Sequence, residues 1–146
     1  MLAMRRAVPI LAILAALYVG WARIGDPPQP GRVAAPAVEA VEQAYSGRVS
    51  GVQVRGEGRV VHILPDDDDG SRHQRFILEL ASGQTLLVAH NIDLAARLAG
   101  LQEGDVVAFN GVYEWNSKGG LIHWTHRDPG GRHEAGWLKH SGRTYQ

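Results

Sequence analysis

The sequence predicts a mainly β domain that follows a hydrophobic N-terminal helix. The chain has 146 residues, which is enough for one domain of ordinary size but not for two. Residues 7–22 form an apolar run close to the N-terminus. From residue 47 onward, short runs of β-branched and aliphatic residues alternate with turn-forming residues, which is the pattern of consecutive strands.

The composition excludes several classes of site. The chain has no cysteine, so disulfides, thiolate zinc sites, cysteine nucleophiles and cysteine-linked lipid anchors are ruled out. Lysine plus arginine total 15 and aspartate plus glutamate total 15, so no basic excess favours bulk binding to nucleic acid. The seven histidines make the net charge of zero depend on pH, because a modest fall in pH turns the chain positive.

The first 25 residues have the composition of a signal-anchor or a signal peptide. Arg5 and Arg6 precede the apolar residues 7–24, an order that is typical of export signals. This stretch is at the short end of a membrane span, and no small-residue cleavage site follows it directly. We therefore expect an uncleaved anchor in the inner membrane, with the rest of the chain facing the periplasm. Cleavage would instead give a periplasmic or secreted protein.

Residues 26–46 are predicted to be a linker and a short helix. The stretch 26–31 is rich in proline, and Pro36 suits the first turn of a helix. Apolar residues recur at helical spacing over residues 37–45. This helix either packs against the domain or acts as a stalk.

Residues 47–146 are predicted to be the β domain with a C-terminal tail. A long first strand is expected over residues 47–64, with a bulge or bend where Gly56 and Gly58 interrupt it. A short helix is expected from Ile92 to Ala99, because a capping residue precedes this stretch and a glycine follows it. The four further strands are expected at residues 74–80, 85–89, 106–113 and 121–125.

The order of these elements matches a known architecture. Three strands, a helix and two strands, with a long bent first strand, are the sequence of elements in the OB-fold. The sequence therefore predicts a small OB-fold-like five-stranded barrel with one short helix, preceded by the hydrophobic N-terminal helix. Closing the sheet would remove most of its exposed edges. A small β sandwich is the alternative.

Four short motifs resemble the DUF3465 family. They are GSRHQRF at residues 70–76, HNIDLA at 90–95, GGLIHWTHRDP at 119–129, and the Gly136-Trp137 pair. The resemblance covers roughly residues 40–146. It implies a short exported bacterial protein with an OB-like domain, and it implies no activity, since the family has no established function.

The histidines are the most informative polar residues, and one set of them suggests a metal site. A regular strand would point His123 and His126 to opposite faces. Asp128-Pro129 indicates that the strand ends near Thr125, so that both histidines could meet one metal ion. Neutral imidazoles and a carboxylate suit zinc or another divalent metal. Two alternatives stay open, a metal-free polar ligand site and a purely structural network. The candidate metal ligands are His73, His90, His126 and Asp128.

An overlapping set of residues could bind an organic or inorganic ligand. His73 and Arg75 are two residues apart on one predicted strand, so they share a face. Trp124 offers an aromatic face on which a planar group can stack. The candidate ligand-binding residues are His73, Arg75, His90, Asn91, His123 and Trp124.

Two features of this set have competing explanations. Arg75, together with Arg72 and Arg127, could clamp a phosphate or carboxylate, or these arginines could pair with the neighbouring aspartates. His90 and Asn91 stand at a strand-to-helix junction, where free N–H groups can hold an anion. Capping of the predicted helix explains Asn91 equally well.

Four adjacent aspartates occupy residues 66–69. Their spacing does not match a calcium-binding loop, whose ligands alternate and end in a distant glutamate, so a solvated charged loop is favoured. This loop would repel a nucleic-acid backbone. Nucleic acid is therefore the weaker candidate among the partners, although the C-terminal third is mildly basic and rich in aromatic residues.

The leading hypothesis is an exported or membrane-anchored OB-like domain that binds a polar or anionic ligand through a His/Arg-rich face. The first alternative is a metal-dependent hydrolase of the phosphodiesterase or nuclease type, in which the metal activates water. The second alternative is a non-catalytic envelope interaction module. The sequence leaves open whether the protein is an enzyme.

Overall fold

The computed structural model describes residues 35–146. The predicted signal segment, residues 1–25, lies outside the described residues. Across the described part of the chain, no helix is long and apolar enough to cross a bilayer. The elements in chain order are α1 (Ala35–Ser46), β1 (Val52–Asp67), β2 (His73–Glu79), β3 (Thr85–Asn91), β4 (Val106–Glu114), β5 (Leu121–His123), β6 (Trp137–His140) and β7 (Arg143–Tyr145).

The first five strands pair in a closed ring. β1 pairs with β2, β2 with β3, β3 with β5, β5 with β4, and β4 again with β1. All of these pairings are antiparallel except that between β3 and β5. β6 pairs with β4, and β7 pairs with β6. The mainly β class with a short helix is thus confirmed, and two strands occupy the region that was expected to be a tail.

The predicted long first strand is confirmed as β1. Gly56 and Gly58 lie where this strand packs closely against its surroundings. Its first half pairs with β4 and its second half with β2. A Cβ atom at Gly56 would lie 2.7 Å from the Phe109 ring, and one at Gly58 would lie 2.8 Å from the Glu79 carbonyl oxygen. Glycine therefore lets β1 approach the core ring and the β2 backbone closely. The register with β2 shifts twice, between Val60 and His62 and between Leu64 and Asp67, so both irregularities fall after the glycines at which the bulge was expected.

The core forms from one face of each strand together with one side of α1. Residues alternate between buried and half-exposed along β2 and β3, so every second side chain points inward. Val41 and Ala44 of α1 are buried in the same cluster, so the helix packs against the strands. The largest fully buried apolar side chains are Tyr113, Phe76, Phe109, Leu78, Leu86, Leu98, Ile122 and Leu138.

The prediction of a helix from Ile92 to Ala99 is wrong, because this segment is a series of turns. Two buried side chains take the backbone groups that a helix would use. His90 Nε2 lies 3.0 Å from the Ala96 carbonyl oxygen. Gln74 binds both backbone groups of Leu98, accepting from its N–H at 2.9 Å and donating to its carbonyl at 3.2 Å. Tertiary hydrogen bonds therefore override the local helix signal.

We expect Gln74→Ala to lower the free energy of unfolding by about 2 kcal/mol, because it leaves both Leu98 backbone groups without a partner in a buried setting. Gln43→Ala is the matched control, since Gln43 is an exposed glutamine on α1 that bonds only to Glu39 within its helix. Urea denaturation of both variants measures the difference. Equal losses for the two variants would show that the Gln74 contacts contribute little.

β5 and β6 pair with two successive stretches of the same strand β4 and are joined by a long loop. His123 of β5 pairs with Val112, and Trp137 of β6 pairs with Asn110. Only Gly111 lies between these two partners on β4, so residues 124–136 leave and rejoin the sheet opposite a single residue. We call residues 124–136 the β5–β6 loop. The predicted fifth strand, residues 121–125, therefore ends two residues early.

Candidate functional site

Four of the six predicted ligand-binding residues lie on one face of neighbouring strands. His73 of β2 pairs directly with Asn91 of β3, and Arg75 pairs with Ala89. The β3–β5 pairing of Val88 with Ile122 places His123 next to Ala89 on the same face. All of these side chains are half-exposed, while the residues between them point into the core. We call this surface, formed by His73, Arg75, Asn91 and His123, the β2–β3–β5 face.

An apolar row borders the β2–β3–β5 face. Ile77, Leu87 and Leu121 form a single row across the three strands, next to the row that contains Arg75 and His123, and they are half-buried. Paired residues in neighbouring strands have Cβ atoms about 4.5–5.5 Å apart, so these side chains adjoin the polar ones. The face therefore offers apolar contact area bordered by one cation, one amide and two imidazoles.

Arg72, which precedes β2, and Arg75, which is in β2, differ in their contacts. Arg72 forms a close ion pair with Asp93, with Nε 2.8 Å from Oδ1, and its own backbone N–H donates to the same carboxylate. Arg75 has only a loose contact with Asp67 at 3.9 Å, and its Nε donates to the Pro65 carbonyl at 3.0 Å. Arg72 is thus committed to an aspartate, whereas the terminal nitrogens of Arg75 retain hydrogen-bonding capacity toward a ligand.

The acidic loop is tied to the protein by its own contacts. Asp66 pairs with Arg97, and Asp67 accepts a hydrogen bond from the Asp69 backbone N–H at 3.1 Å. Asp68 and Asp69 are exposed. These contacts agree with the charged, solvated loop favoured by the sequence.

His123 is a neutral imidazole with one unsatisfied nitrogen. Its Nε2 lies 3.4 Å from the Glu114 carboxylate, close enough for an ion pair but without hydrogen-bond geometry. Burial lowers the pKa of His123, and the neighbouring Glu114 opposes this effect only in part. Because Nε2 is buried against Glu114, it is Nδ1 of the uncharged ring that is left to bond a ligand on the β2–β3–β5 face.

Trp124 follows directly and carries a strained backbone. Its φ angle is +51°, which is unusual for a bulky residue other than glycine. Its ring stacks on the imidazole of His133, with ring centres 4.5 Å apart and planes inclined by 9°. It also stacks on His126, at 5.3 Å and 29°. The β5–β6 loop thus folds back so that two histidines pack on the tryptophan ring.

Asp128 holds the turn that presents His133. Its carboxylate accepts hydrogen bonds from the backbone N–H groups of Gly130, Arg132 and His133, at 2.7–3.0 Å. These bonds lower the pKa of Asp128, because each of them favours the charged carboxylate. Asp128 is therefore a positioning residue for the β5–β6 loop, and its oxygens already have partners.

His90 points into the protein and not toward the β2–β3–β5 face. It is fully buried, with Nδ1 2.8 Å from the Thr125 hydroxyl and Nε2 3.0 Å from the Ala96 carbonyl. Since Nε2 must donate to that carbonyl, Nδ1 accepts from the hydroxyl. Burial lowers the pKa of His90 to about 4, and the nearby His126 and His73 contribute to this effect. His90 in this position connects three segments of the fold.

The predicted metal ligands are not gathered around a common point. His73 is on the outer face, and His90 is inside. The Nδ1 atom of His126 lies 2.7 Å from the Arg127 carbonyl. Asp128 binds backbone N–H groups. Among residues 35–146, no group of three or more histidine, aspartate or glutamate side chains is arranged to hold a metal ion.

The structure adds two residues to the site that the sequence did not suggest. Glu114 pairs with Leu121 across the β4–β5 hairpin, which places it on the same face as His123. Counting residues outward in both directions from the predicted turn between the strands at 106–113 and 121–125 would have found that Glu114 and Leu121 are opposite each other. His133 reaches Trp124 only because the β5–β6 loop closes, and the sole local signal was the turn sequence Asp128-Pro-Gly-Gly131.

Comparison with known proteins gives a family but no activity. A family model described as a protein of unknown function, DUF3465, matches residues 32–146. This match confirms the resemblance seen in the four sequence motifs. A search of curated proteins found no match.

Proposed function

This chain belongs to the DUF3465 family, whose function is unknown, and we propose that it is an exported or membrane-anchored OB-like domain that binds a polar or anionic ligand. The ligand lies on the β2–β3–β5 face, where Arg75, His73, Asn91 and His123 contact it. The one observation that carries the proposal is that these residues, chosen for their chemistry, share one face of three adjacent strands.

The OB-like part of the proposal rests on strand order. A ring of five strands in which β3 and β5 are parallel and β1 pairs with both β2 and β4 is the connectivity of an OB barrel. The chain departs from that pattern where the β3–β4 connection lacks a helix. The β2–β3 surface and the adjoining loops are where such folds bind their ligands.

The chemistry of the face favours a ligand with an anionic group. Arg75 supplies a permanent positive charge that Asp67 only partly neutralises, since their closest atoms are 3.9 Å apart. Asn91 and the neutral His123 add uncharged hydrogen-bonding groups. The apolar row of Ile77, Leu87 and Leu121 beside them suits a ligand that also has a nonpolar part.

The location outside the cytoplasm is proposed from the composition of the N-terminus. Arg5 and Arg6 followed by the apolar residues 7–24 support export and contact with the inner membrane. A soluble periplasmic form after cleavage remains the alternative. Both forms present the same ligand-binding domain.

Ligand binding has more support than metal-dependent hydrolysis. His90 and His140 are buried and hydrogen-bonded within the fold, the latter to Asp105 at 2.8 Å. Such bonds order the loops without any need for a metal ion. The proposal is therefore ligand binding in preference to metal-dependent hydrolysis.

Titration with inorganic phosphate tests the proposed site. We expect the full-length protein, in mild detergent, to bind phosphate with millimolar affinity and to shift the NMR signals of β2 and β3. Arg75→Gln should weaken this binding about 10-fold, because one charge-assisted hydrogen-bond donor is lost. Arg143→Gln is the matched control, because it removes the same charge from β7. Absence of saturable binding, or equal losses in both variants, would contradict the proposal.

A further inference from the structure

The imidazole of His133 covers the Trp124 ring as a bound planar ligand would. The two rings are nearly parallel, at an angle of 9°, and their centres are 4.5 Å apart, which is the geometry of a stacked aromatic pair. His133 itself is exposed, and among residues 35–146 its ring nitrogens form no hydrogen bond. Stacking on Trp124 is therefore the main contact of this side chain.

The backbone on both sides of Trp124 is fixed by contacts, whereas the side chain of His133 is held only by its stack on the Trp124 ring. The Trp124 carbonyl lies against Gly136, and the Gly136 N–H donates to the His126 carbonyl at 2.9 Å, so both ends of the β5–β6 loop are fixed. The contacts of His133 are the Asp128 hydrogen bond to its N–H and the ring stack. A rotation about its side-chain bonds exposes the Trp124 ring without any change in the loop backbone.

We propose that Trp124 is a stacking subsite for a planar heteroaromatic ring, and that His133 occupies this subsite in the absence of ligand. The fold itself shows that this face of Trp124 accepts a planar nitrogen heterocycle. The charge of His133 acts on His123, so the Trp124–His133 stack lies near the end of the β2–β3–β5 face at which His123 stands. One ligand can therefore place its ring on Trp124 and its anionic group toward Arg75, which is in the same row of the sheet as His123. This inference rests on the proposed function and names the ligand class as a heteroaromatic ring that bears a phosphate, such as a nucleoside monophosphate.

The charges around the subsite are compatible with this ligand. Glu114 faces His123 from β4, and Glu134 of the loop is paired with Arg55 at 3.0 Å. Arg132 and Arg127 are exposed on the β5–β6 loop. Glu134 thus has a cationic partner, whereas Glu114 faces the neutral His123 and keeps its charge. The exposed cations of the loop favour an anionic ligand in spite of that one carboxylate.

Binding of AMP, ribose 5-phosphate and adenosine to the full-length protein tests this inference. We expect AMP to bind about 5- to 100-fold more tightly than ribose 5-phosphate, which is the range for stacking of one base on an aromatic side chain. Trp124→Asn should remove this difference and leave ribose 5-phosphate binding unchanged. Asparagine is chosen because it tolerates the positive φ angle at this position. Trp137→Leu, on a different part of the sheet, is the control and should keep the difference.

His133→Ala provides a second, independent test on an exposed residue. If His133 occupies the subsite, its removal should strengthen AMP binding about 2- to 10-fold, since no stacked pair has to break first. Unchanged or weaker AMP binding in this variant would overturn the inference. Equal affinities of the wild type for AMP and ribose 5-phosphate would also overturn it, while leaving the anion site intact. If adenosine binds as tightly as AMP and ribose 5-phosphate does not bind, the phosphate contributes nothing to affinity. The stacking subsite then stands, and the anionic part of the proposed function fails.

Discussion

Gly136→Ala is expected to destabilise the protein by at least about 3 kcal/mol. A Cβ atom at this position would overlap the backbone carbonyl of Trp124 and lie 2.9 Å from the carbonyl oxygen of Asn110. No side-chain rotation can relieve a clash with backbone atoms, so the β5–β6 loop must separate from β4. The hydrogen bond from the Gly136 N–H to the His126 carbonyl would be lost at the same time.

Gly142→Ala is the matched control for this variant. Gly142 has a positive φ angle of 74° and open space around it, so an alanine there is strained but meets no atoms. Its expected cost is about 1–2 kcal/mol, the penalty for a left-handed backbone. Urea denaturation of the two variants separates close packing from backbone strain. A Gly136→Ala variant as stable as Gly142→Ala would mean that the loop does not close on Trp124 as described.

The strand pattern could be predicted because it depends on neighbouring residues. In β2 and β3, apolar residues at every second position identify the inward face, and the structure buries Phe76, Leu78 and Val88 there. The same alternation placed His73 and Arg75 on the opposite face. The part of the candidate site that lies on regular strands was therefore accessible from the sequence.

The features that could not be predicted depend on contacts between distant residues. The segment from Ile92 to Ala99 has the composition of a helix, but Gln74 and His90 bind its backbone in another conformation. The stack of His133 on Trp124 requires the β5–β6 loop to close over one residue of β4. Sequence spacing contains no information about such closure, because many loop conformations satisfy the same turn signals.

The histidines divide into two groups, and the sequence could not separate them. His90 follows directly after an outward-facing residue of β3, so its register places it inside, where it bonds to Thr125 and Ala96. His73 and His123 have the opposite register and remain half-exposed. Predicting this difference required the true end of β3, which the expected strand placed one residue before His90.

Stability is expected to fall by about 3 kcal/mol as the pH decreases from 6.5 to 4, because of His90. The folded protein lowers the pKa of His90 from 6.5 to about 4, mainly by burial. Between these values the unfolded chain binds a proton that the folded chain does not, so acidification favours unfolding. The contribution of His90 is fully present above about pH 7.5, and its loss is complete only below about pH 3, where the folded protein also binds the proton. A shift of this size corresponds to about 3 kcal/mol.

His90→Gln isolates this contribution from the other titrating groups. A glutamine amide can donate to the Ala96 carbonyl and accept from the Thr125 hydroxyl, as His90 does, but it does not titrate. The lowered pKa values of Asp105 and Asp128 produce a loss at more acidic pH, and the variant retains them. Urea denaturation between pH 4 and 7 should therefore give a clearly shallower slope for His90→Gln than for the wild type. Parallel slopes for the variant and the wild type would mean that burial does not keep the His90 imidazole neutral. An NMR titration of His90 with a midpoint near pH 6.5 would mean the same, because the folded and unfolded chains would then have equal proton affinities at this residue.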